Sequence, residues 1–270
     1  MVDTEAIRTF EYAGWERAAN SYEASFATAT RPFIPGLLDA GAVASGRSVL
    51  DVACGPGFVT AGALERGAPV RGLDFSPAML EVARVLHPGI AFDQGDAEAL
   101  PYSDGCFDSV VSNFGVHHVP RPIMALRQAN RVLRPDGVLA FTVWGAPSEN
   151  VAWKLVFDAI RRHGDMSASR APAPSGGFGS ADDCVGVLEQ AGFAGIGTRK
   201  LTGVWHQADG RALLAALRSG TARMAALIEA QRPEAMSAII ADIDTSSAGY
   251  RVGNGLAIPL AAVVAFGRKT

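Results

Sequence analysis

The sequence predicts an α/β fold in which helices cover both faces of a mostly parallel sheet of seven strands. Three observations predict this fold. Between residues 47 and 144, short runs rich in Val, Leu and Phe alternate with helical stretches, as in successive βαβ units. A glycine-rich loop follows the first run directly and leads into a helix. Hydrophobic residues make up 49% of the 270 residues and charged residues 19%, which is enough apolar material for a large buried core.

The strands are predicted where short apolar runs are bounded by turn residues. The first five follow one another between residues 47 and 144, and the last two lie in the less regular second half. They are expected at residues 48–53, 69–74, 90–94, 107–112, 138–143, 196–205 and 256–266.

The helices carry recognisable start and stop signals. Ser76 followed by Pro77 predicts an N-cap with proline at the first helical position, and Ser180–Asp183 predicts a capping-box start. Arg134–Gly137 predicts a turn before the fifth strand. Helices are expected after Gly57 to Leu64, then at residues 77–86, 122–133, 149–162 and 181–192, and across 208–243 with one interruption at Pro233.

The chain is expected to consist of an N-terminal helical cap at residues 1–46 and a main domain at residues 47–270. The loop at residues 171–180 is too short for a convincing interdomain linker. We therefore expect the main domain to carry helical insertions near residues 146–180 and 207–245, which form the binding pocket together with the cap.

Charge and cysteine content exclude several classes of protein. The net charge of −3 is a poor basis for binding nucleic acid, which requires a basic surface. The three cysteines are widely spaced and leave one unpaired in any disulfide scheme, which favours a reduced, cytoplasmic setting. The first residues lack the features of a signal peptide, and the apolar run 256–266 is too short to span a membrane. We expect a cytoplasmic protein without a membrane span.

Three acidic residues lie at or near the ends of successive predicted strands. Asp51 belongs to the first strand beside the glycine-rich loop, Asp74 ends the second, and Asp96 follows the third. Ligands of open parallel sheets bind outside the carboxyl ends of the strands. We therefore expect the three carboxylates to converge on one crevice.

The loop itself distinguishes between two kinds of nucleotide ligand. A dinucleotide-binding loop has three glycines in the pattern G-x-G-x-x-G and faces a pyrophosphate. Here Thr60 stands where the third glycine is expected, and the carboxylate of Asp51 lies beside the loop. A carboxylate repels a pyrophosphate and attracts an ammonium group. The preferred ligand therefore carries a nucleoside and a cationic amine without phosphates.

These features together resemble the class I S-adenosylmethionine (SAM)-dependent methyltransferases, and most closely the branch containing the ubiquinone- and menaquinone-biosynthesis enzymes. The match is strong over residues 47–145 and weaker at Leu188–Phe193. One departure is Ala53, where the family more often has glycine. Five segments carry the resemblance in order: Leu50–Gly57, Gly72–Leu80, Gly95–Pro101, Phe107–Asn113 and Arg131–Gly137.

The resemblance implies a Rossmann-like fold, SAM as cofactor, and a role for each motif residue. At the methionine end, Asp51 would hold the amino group, directly or through water. Ala53, Gly55 and Gly57 would let the loop backbone approach the cofactor. Asn113, at the end of the fourth strand, would face the methionine moiety and the reacting centre.

At the nucleoside end, the resemblance implies a second group of contacts. Asp74 would bind the ribose hydroxyls, and Phe75 and Met79 would pack near the adenine. Asp96 would accept a hydrogen bond from the adenine amino group, while the backbone amide of Ala97 would meet a ring nitrogen.

Two further groups of side chains are candidates for catalysis or substrate contact. His117 and His118 follow the fourth strand, where either could act as a general base or simply shape the pocket. No third ligand is spaced to join them in a metal site, so no metal is expected. Trp15 and Tyr22 lie in the N-terminal segment. They are candidates for contacts with a lid or a substrate, or they form the buried face of this segment.

The sequence predicts transfer of the sulfonium methyl group to a small, partly hydrophobic acceptor by in-line displacement. The accepting atom, whether oxygen, nitrogen or carbon, and the need for a base stay open, and the protein is either a monomer or a homodimer. Two alternatives remain. One is a SAM-binding protein without methyl transfer, such as a regulator or a cyclase, and the other is an NAD-dependent oxidoreductase.

Overall fold

An eight-stranded sheet lies at the centre of the computed structural model, which describes residues 3–172 and 178–270. Its strand order is β3-β2-β1-β4-β5-β8-β6, with the short β7 beside β8. The strands are β1 (Val49–Val52), β2 (Val70–Asp74), β3 (Ala91–Gln94), β4 (Phe107–Asn113), β5 (Leu133–Trp144), β6 (Phe193–Gln207), β7 (Arg251–Val252) and β8 (Gly255–Lys269).

The mostly parallel sheet predicted from the sequence is confirmed. The first five strands pair in parallel, and β8 runs antiparallel to both of its long neighbours. All seven expected strands are present, and the two-residue β7 is an addition that the sequence did not indicate. The chain order reverses at β1, which has β2 on one side and β4 on the other. This reversal opens a crevice at the carboxyl ends of β1 and β4.

The segment Arg134–Gly137, predicted to be a turn, is instead a bulge inside β5. Leu133 pairs with Phe107 and Val138 pairs with Ser109, so β5 has extra residues at this point. Asp136 takes up the bend with a φ of 63°, in the left-handed region. The composition of the segment correctly indicates a sharp bend, but pairing with β4 keeps the bend within the strand.

Helices surround the sheet and join its strands. They are α1 (Thr4–Tyr22), α2 (Ala27–Thr30), α3 (Ile34–Ala40), α4 (Phe58–Glu65), α5 (Pro77–Leu86), α6 (Pro122–Val132), α7 (Val151–His163), α8 (Ala181–Gln190), α9 (Gly210–Gly220), α10 (Arg223–Glu229) and α11 (Pro233–Ser246). None of the helices in the described ranges is long and apolar enough to cross a membrane.

The predicted helix starts at Ser76 and Ser180 are confirmed. Each serine hydroxyl accepts a hydrogen bond from the backbone N–H three residues on, at 3.1 Å. The alanine-rich stretch is broken twice, whereas only the break at Pro233 was expected. The additional break follows Gly220, where a Cβ atom would come within 2.5 Å of the Cβ of Phe26. Residues 173–177 of the predicted loop lie outside the described residues.

Both faces of the sheet are buried by helices, as the fold class predicts. Leu139 and Phe141 of β5 pack with α6 and α8, while Ala140 between them packs with α3 and α4 on the opposite face. This alternation follows from the two-residue period of a strand. Helices α7, α9, α10 and α11 form a third core around Trp205 and Ile258.

Two strands extend beyond the others and support the helical insertions. Trp144, the last residue of β5, pairs with Ala262 of β8. Beyond that point, β8 continues to pair with β6 as far as Leu256 opposite Gln207. The insertion helices therefore lie at the carboxyl edge of the sheet, where ligands of such sheets bind.

Helix α1 packs between α5 and the helical insertions. Ala18 and Ala19 pack on Met79 of α5, and Gly14 faces Ala222 so closely that a Cβ atom would lie 2.4 Å from the alanine Cβ. Helices occupy most of residues 4–40. The division of the chain at residue 46 stays a prediction.

Candidate cofactor and acceptor site

A cavity that is open to solvent lies at the carboxyl ends of β1 to β4, beneath α1. It brings together most of the site residues expected from the sequence. Those that line it are Trp15, Tyr22, Asp51, Ala53, Gly55, Asp74, Phe75, Met79, Asp96, Ala97, Asn113 and His118, and Gly57 and His117 are not among its lining residues.

The glycine-rich loop between β1 and α4 turns through left-handed backbone conformations. Ala53, Gly55 and Gly57 have φ values of 56°, 50° and 84°. Ala53 is therefore under the kind of backbone strain that glycine avoids, which gives a physical reason for the family's preference at this position. Gly57 faces away from the cavity, because a Cβ atom there would lie 2.7 Å from the ring of Phe92.

Asp51 is fully buried at the base of the cavity. Its Oδ2 accepts a hydrogen bond of 2.6 Å from the hydroxyl of Thr60, the residue that replaces the third glycine. Its Oδ1 has no hydrogen-bond partner among the described residues. Burial, aided by the charge of Asp74, raises the pKa of Asp51 to about 7. An unpartnered buried acceptor of this kind fits a ligand with N–H donors.

Asp74 links the glycine-rich loop to the start of α5. Its Oδ2 accepts from the backbone N–H of Gly55 at 2.8 Å, and its Oδ1 accepts from that of Ser76 at 2.9 Å. Burial raises the pKa of Asp74 to about 6, although these backbone hydrogen bonds oppose the shift. A carboxylate has about four acceptor positions, so each oxygen retains capacity for a ribose hydroxyl.

Asp96 also lines the cavity and is held by α1. Its Oδ1 accepts from the backbone N–H of Glu98 at 2.8 Å, and its Oδ2 forms an ion pair with Arg8. Arg8 also donates to the buried Glu98 at 2.9 Å, and Glu98 in turn binds the Arg121 guanidinium. Arg8 lines the cavity but belongs to none of the motifs, so the sequence did not single it out.

Aromatic side chains surround the end of the cavity nearest Asn113. Phe114 is stacked on Trp144 with the ring centroids 4.0 Å apart. Asn113 is fixed, since its Oδ1 accepts from the Thr142 hydroxyl at 2.6 Å and its Nδ2 donates to the Thr30 carbonyl at 3.3 Å. Burial raises the pKa of Tyr22 to about 12, so its phenol stays protonated.

The two histidines occupy different environments. His118 lines the cavity, whereas His117 does not. Burial, together with the neighbouring His118 and Arg223 side chains, holds the pKa of His117 well below its usual range, so its imidazole is neutral. The described residues contain no group of His, Cys, Asp and Glu side chains that could hold a metal ion.

Glu11 of α1 is a site residue that the sequence analysis missed. The residue is only 1% exposed, and its Oε2 lies 3.0 Å from Nδ1 of His118. The indole N–H of Trp15 donates to the same oxygen at 3.0 Å, and Arg223 donates to Oε1 at 2.7 Å. The signal that could have found it is helical spacing, because Glu11 lies on the buried face of α1 with Ile7 and Gly14.

The helical insertions contribute less to the cavity than expected. Among the described residues, those that line it come from positions 8–34 and 51–120. The insertions contact the cavity wall from outside. Arg223 of α10 donates a hydrogen bond to Oε1 of Glu11, whereas His118 lies beside Oε2 of the same carboxylate. The cap and the strand ends thus form the pocket walls, and the insertions support them.

Comparison with known proteins identifies relatives of this chain. The family described as "Methyltransferase domain" matches residues 50–141. The demethylmenaquinone methyltransferase of Renibacterium salmoninarum is 39% identical over 112 residues, which are 42% of this chain and 47% of that protein. The enzyme of the same name from Beutenbergia cavernae is 30% identical over 176 residues, 62% of this chain and 73% of that protein.

A solved structure shows the same fold over nearly the whole chain. The SAM-dependent methyltransferase of Thermotoga maritima superimposes with a TM-score of 0.56 at 19% identity, covering 96% of this chain and 100% of that one. The sequence relatives and the folded neighbour thus agree with the motifs at the strand ends. The chain belongs to the class I SAM-dependent methyltransferases, in the ubiquinone- and menaquinone-like branch, and its cofactor is SAM.

Proposed function

We propose that this chain transfers the methyl group of SAM to a small, partly hydrophobic acceptor by in-line displacement. One observation carries the proposal. A single cavity is lined by the carboxylates Asp51, Asp74 and Asp96 and by an aromatic wall made of Trp15, Tyr22 and Phe114, together with Asn113 and His118. A cofactor held along the strand ends and an acceptor against the aromatic wall would therefore share one cavity.

The cofactor contacts implied by the family resemblance suit the chemistry of these residues. The unpartnered Oδ1 of Asp51 offers an acceptor for the ammonium group of the methionine moiety. Asp74 and Asp96 offer carboxylate oxygens for the ribose hydroxyls and the adenine amino group. SAM, when bound, supplies an activated methyl group, so the protein mainly aligns the acceptor and excludes water. Alignment of this kind is worth about 7–11 kcal/mol in favourable cases.

The acceptor end favours a flat, largely apolar molecule. Trp15, Tyr22, Ile34 and Phe114 line it, with Asn113 and His118 as the polar groups. Pockets with apolar walls and a few fixed polar groups bind small molecules by burying most of their surface. Because the relatives are named for demethylmenaquinone, a reduced naphthoquinone is the first acceptor to test.

Two measurements test the proposed function. Isothermal titration calorimetry with S-adenosylhomocysteine and with NAD should give binding of the first and none of the second. Incubation with methyl-labelled SAM and 1,4-dihydroxynaphthalene, beside a panel of phenols and amines, should then transfer label to an acceptor.

The alternatives give different results in the same experiments. Tight binding of S-adenosylhomocysteine without transfer to any acceptor would favour a regulator or a cyclase. Binding of NAD without binding of S-adenosylhomocysteine would favour an oxidoreductase.

A further inference from the structure

Glu11 and His118 meet only because α1 lies across the cavity. They are far apart in sequence, one on the N-terminal helix and the other in the turn after β4. In the folded chain, Oε2 of Glu11 lies 3.0 Å from Nδ1 of His118, and the imidazole faces the cavity. Trp15 packs edge-on against the same imidazole, with ring centroids 5.0 Å apart. The contact places Nδ1 within ion-pair distance of a buried carboxylate, without the alignment of a hydrogen bond.

Glu11 is ionised in this environment. Its burial works to raise its pKa, but His118 and Arg223 more than offset burial and hold the pKa below its usual range. An ionised carboxylate beside Nδ1 favours the tautomer with the proton on Nδ1, which leaves Nε2 free to accept a proton. Among the described residues, Arg223 on α10 and the neutral His117, whose ring centroid lies 4.2 Å from that of His118, also face this pair.

On the basis of the proposed methyl transfer, we propose that Glu11 is a positioning residue that orients His118 as a general base for an acceptor with a dissociable O–H group. The acceptor oxygen bonds to the methyl carbon as its proton passes to Nε2 of His118. The bond between that carbon and sulfur breaks, and its electron pair stays on sulfur to give S-adenosylhomocysteine. The imidazolium, stabilised by Glu11, later releases the proton to solvent.

This assignment narrows the class of acceptor. A base beside the aromatic wall selects phenol-, enol- or quinol-type hydroxyls, which gain nucleophilicity when they lose a proton. A tertiary amine or a thioether has no such proton and gains nothing from the pair. Since Glu11 is carried by α1, the base is also complete only while α1 covers the cavity, which couples exclusion of water to proton removal.

The test compares Glu11→Gln with Glu5→Gln, a matched control on the same helix. Glu5 is exposed and its replacement removes the same charge. With 1,4-dihydroxynaphthalene as acceptor, Glu11→Gln should lower kcat by about tenfold or more, while KM and the affinity for S-adenosylhomocysteine change little. The pH at half-maximal kcat should fall, because a neutral amide no longer favours the protonated imidazole. Glu5→Gln should behave as the wild type.

A second readout does not depend on activity. The second readout is the nitrogen-15 NMR spectrum of the histidine side chains in the complex with S-adenosylhomocysteine. The signals of His118 are identified as those that disappear in His118→Ala. The wild type should show the tautomer protonated on Nδ1, and Glu11→Gln a mixture of tautomers. If no acceptor is methylated, the proposed function fails, and these spectra still decide whether Glu11 orients His118.

A merely structural role for Glu11 predicts another pattern. The melting temperature, cofactor affinity and kcat of Glu11→Gln would then fall together, with the pH profile and the tautomer unchanged, and the proposal would be overturned. If Glu11→Gln does not fold, Glu11→Asp keeps the charge but shortens the side chain. It should bind S-adenosylhomocysteine normally with reduced kcat, and wild-type kcat in that variant would equally overturn the proposal.

Discussion

The strand ends and helix α1 both contribute to the cavity, but different kinds of contact hold them in place. Asp51 accepts a hydrogen bond from Thr60 of α4, and Asp74 accepts from Gly55 of the glycine-rich loop and from Ser76, all within 19 positions in sequence. Arg8 and Glu11 of α1 instead reach partners at Asp96 and Arg223, which are 88 and 212 positions away. The first region is fixed by the sheet itself, whereas the second depends on how α1 docks. The comparison suggests that cofactor affinity resides in the strand ends and that catalysis depends on α1.

Removing the imidazole at the end of β4 should have the largest effect. His118→Ala should lower kcat by about 100-fold, because general-base catalysis contributes this much or more. Its affinity for S-adenosylhomocysteine should stay near that of the wild type, since the strand ends are intact. Single-turnover kinetics with 1,4-dihydroxynaphthalene and calorimetry measure the two effects separately. An equal loss of both would show that the two regions are not separable.

Removing a strand-end carboxylate should have the opposite pattern. Asp74→Ala should weaken binding of S-adenosylhomocysteine at least tenfold, equivalent to about 1.4 kcal/mol. This variant removes the proposed ribose contact and the hydrogen bond that orders Gly55. Calorimetric titration measures the change, and unaltered affinity would contradict the assignment of Asp74 to the ribose.

If Asp51 pairs with the amino group of the cofactor as proposed, cofactor binding should depend on pH. Its pKa of about 7 in the free protein means that a proton must leave before the carboxylate can pair with an ammonium group. Affinity for S-adenosylhomocysteine should therefore fall by about tenfold between pH 8 and pH 6, since each pKa unit corresponds to 1.36 kcal/mol. Asp51→Asn should bind more weakly at pH 8 and lose most of this dependence. A wild-type affinity that is flat over this range would contradict the ion pair.

The raised pKa of Asp51 also leads to a prediction of how the stability of the free protein varies with pH. The folded state raises the pKa of Asp51 above its usual value of 3.8, so the folded protein retains a proton that the unfolded chain has lost. The contribution of Asp51 to the free energy of unfolding is therefore greatest at low pH, declines as pH rises from 3.8 to about 7, and is constant above that. Denaturant titrations of Asp51→Asn should lack this decline, and identical slopes in both proteins would contradict it.

Loosening α1 at its first turns should have the smallest effect. Arg8→Ala removes the partly exposed ion pairs to Asp96 and Glu98, and pairs of this kind contribute up to about 1 kcal/mol. The dissociation rate of S-adenosylhomocysteine should rise by about threefold. Stopped-flow displacement measures the rate, and Arg17→Ala on the exposed side of α1 serves as the control. Equal rates in all three proteins would show that the contacts of Arg8 do not retain the cofactor.

Sequence predicted the strand-end region well because its signals are local. The strands and the caps at Ser76 and Ser180 follow from apolar runs and neighbouring hydroxyl residues, and the motifs placed Asp51, Asp74 and Asp96 at one edge. The bulge at Asp136 was missed because strand pairing with β4, which is not a local property, decides between a turn and a bulge.

The contribution of α1 was only partly predicted, for a physical reason. Trp15 and Tyr22 were expected near the site, but Arg8 and Glu11 carry no motif, and charged residues on a helix usually face solvent. Their roles depend on the position of α1 relative to β3, β4 and α10. The signal available in the sequence was the helical spacing of Ile7, Glu11 and Gly14, which places Glu11 on the face of α1 that is buried in the structure.

The most direct test of the whole account is a crystal structure of the complex with S-adenosylhomocysteine. We expect its amino group to be hydrogen-bonded to Oδ1 of Asp51, its ribose to Asp74, and its sulfur to face the space between Phe114 and His118. A ligand bound outside this cavity, or a cavity in which Asp51 contacts no amino group, would contradict the account.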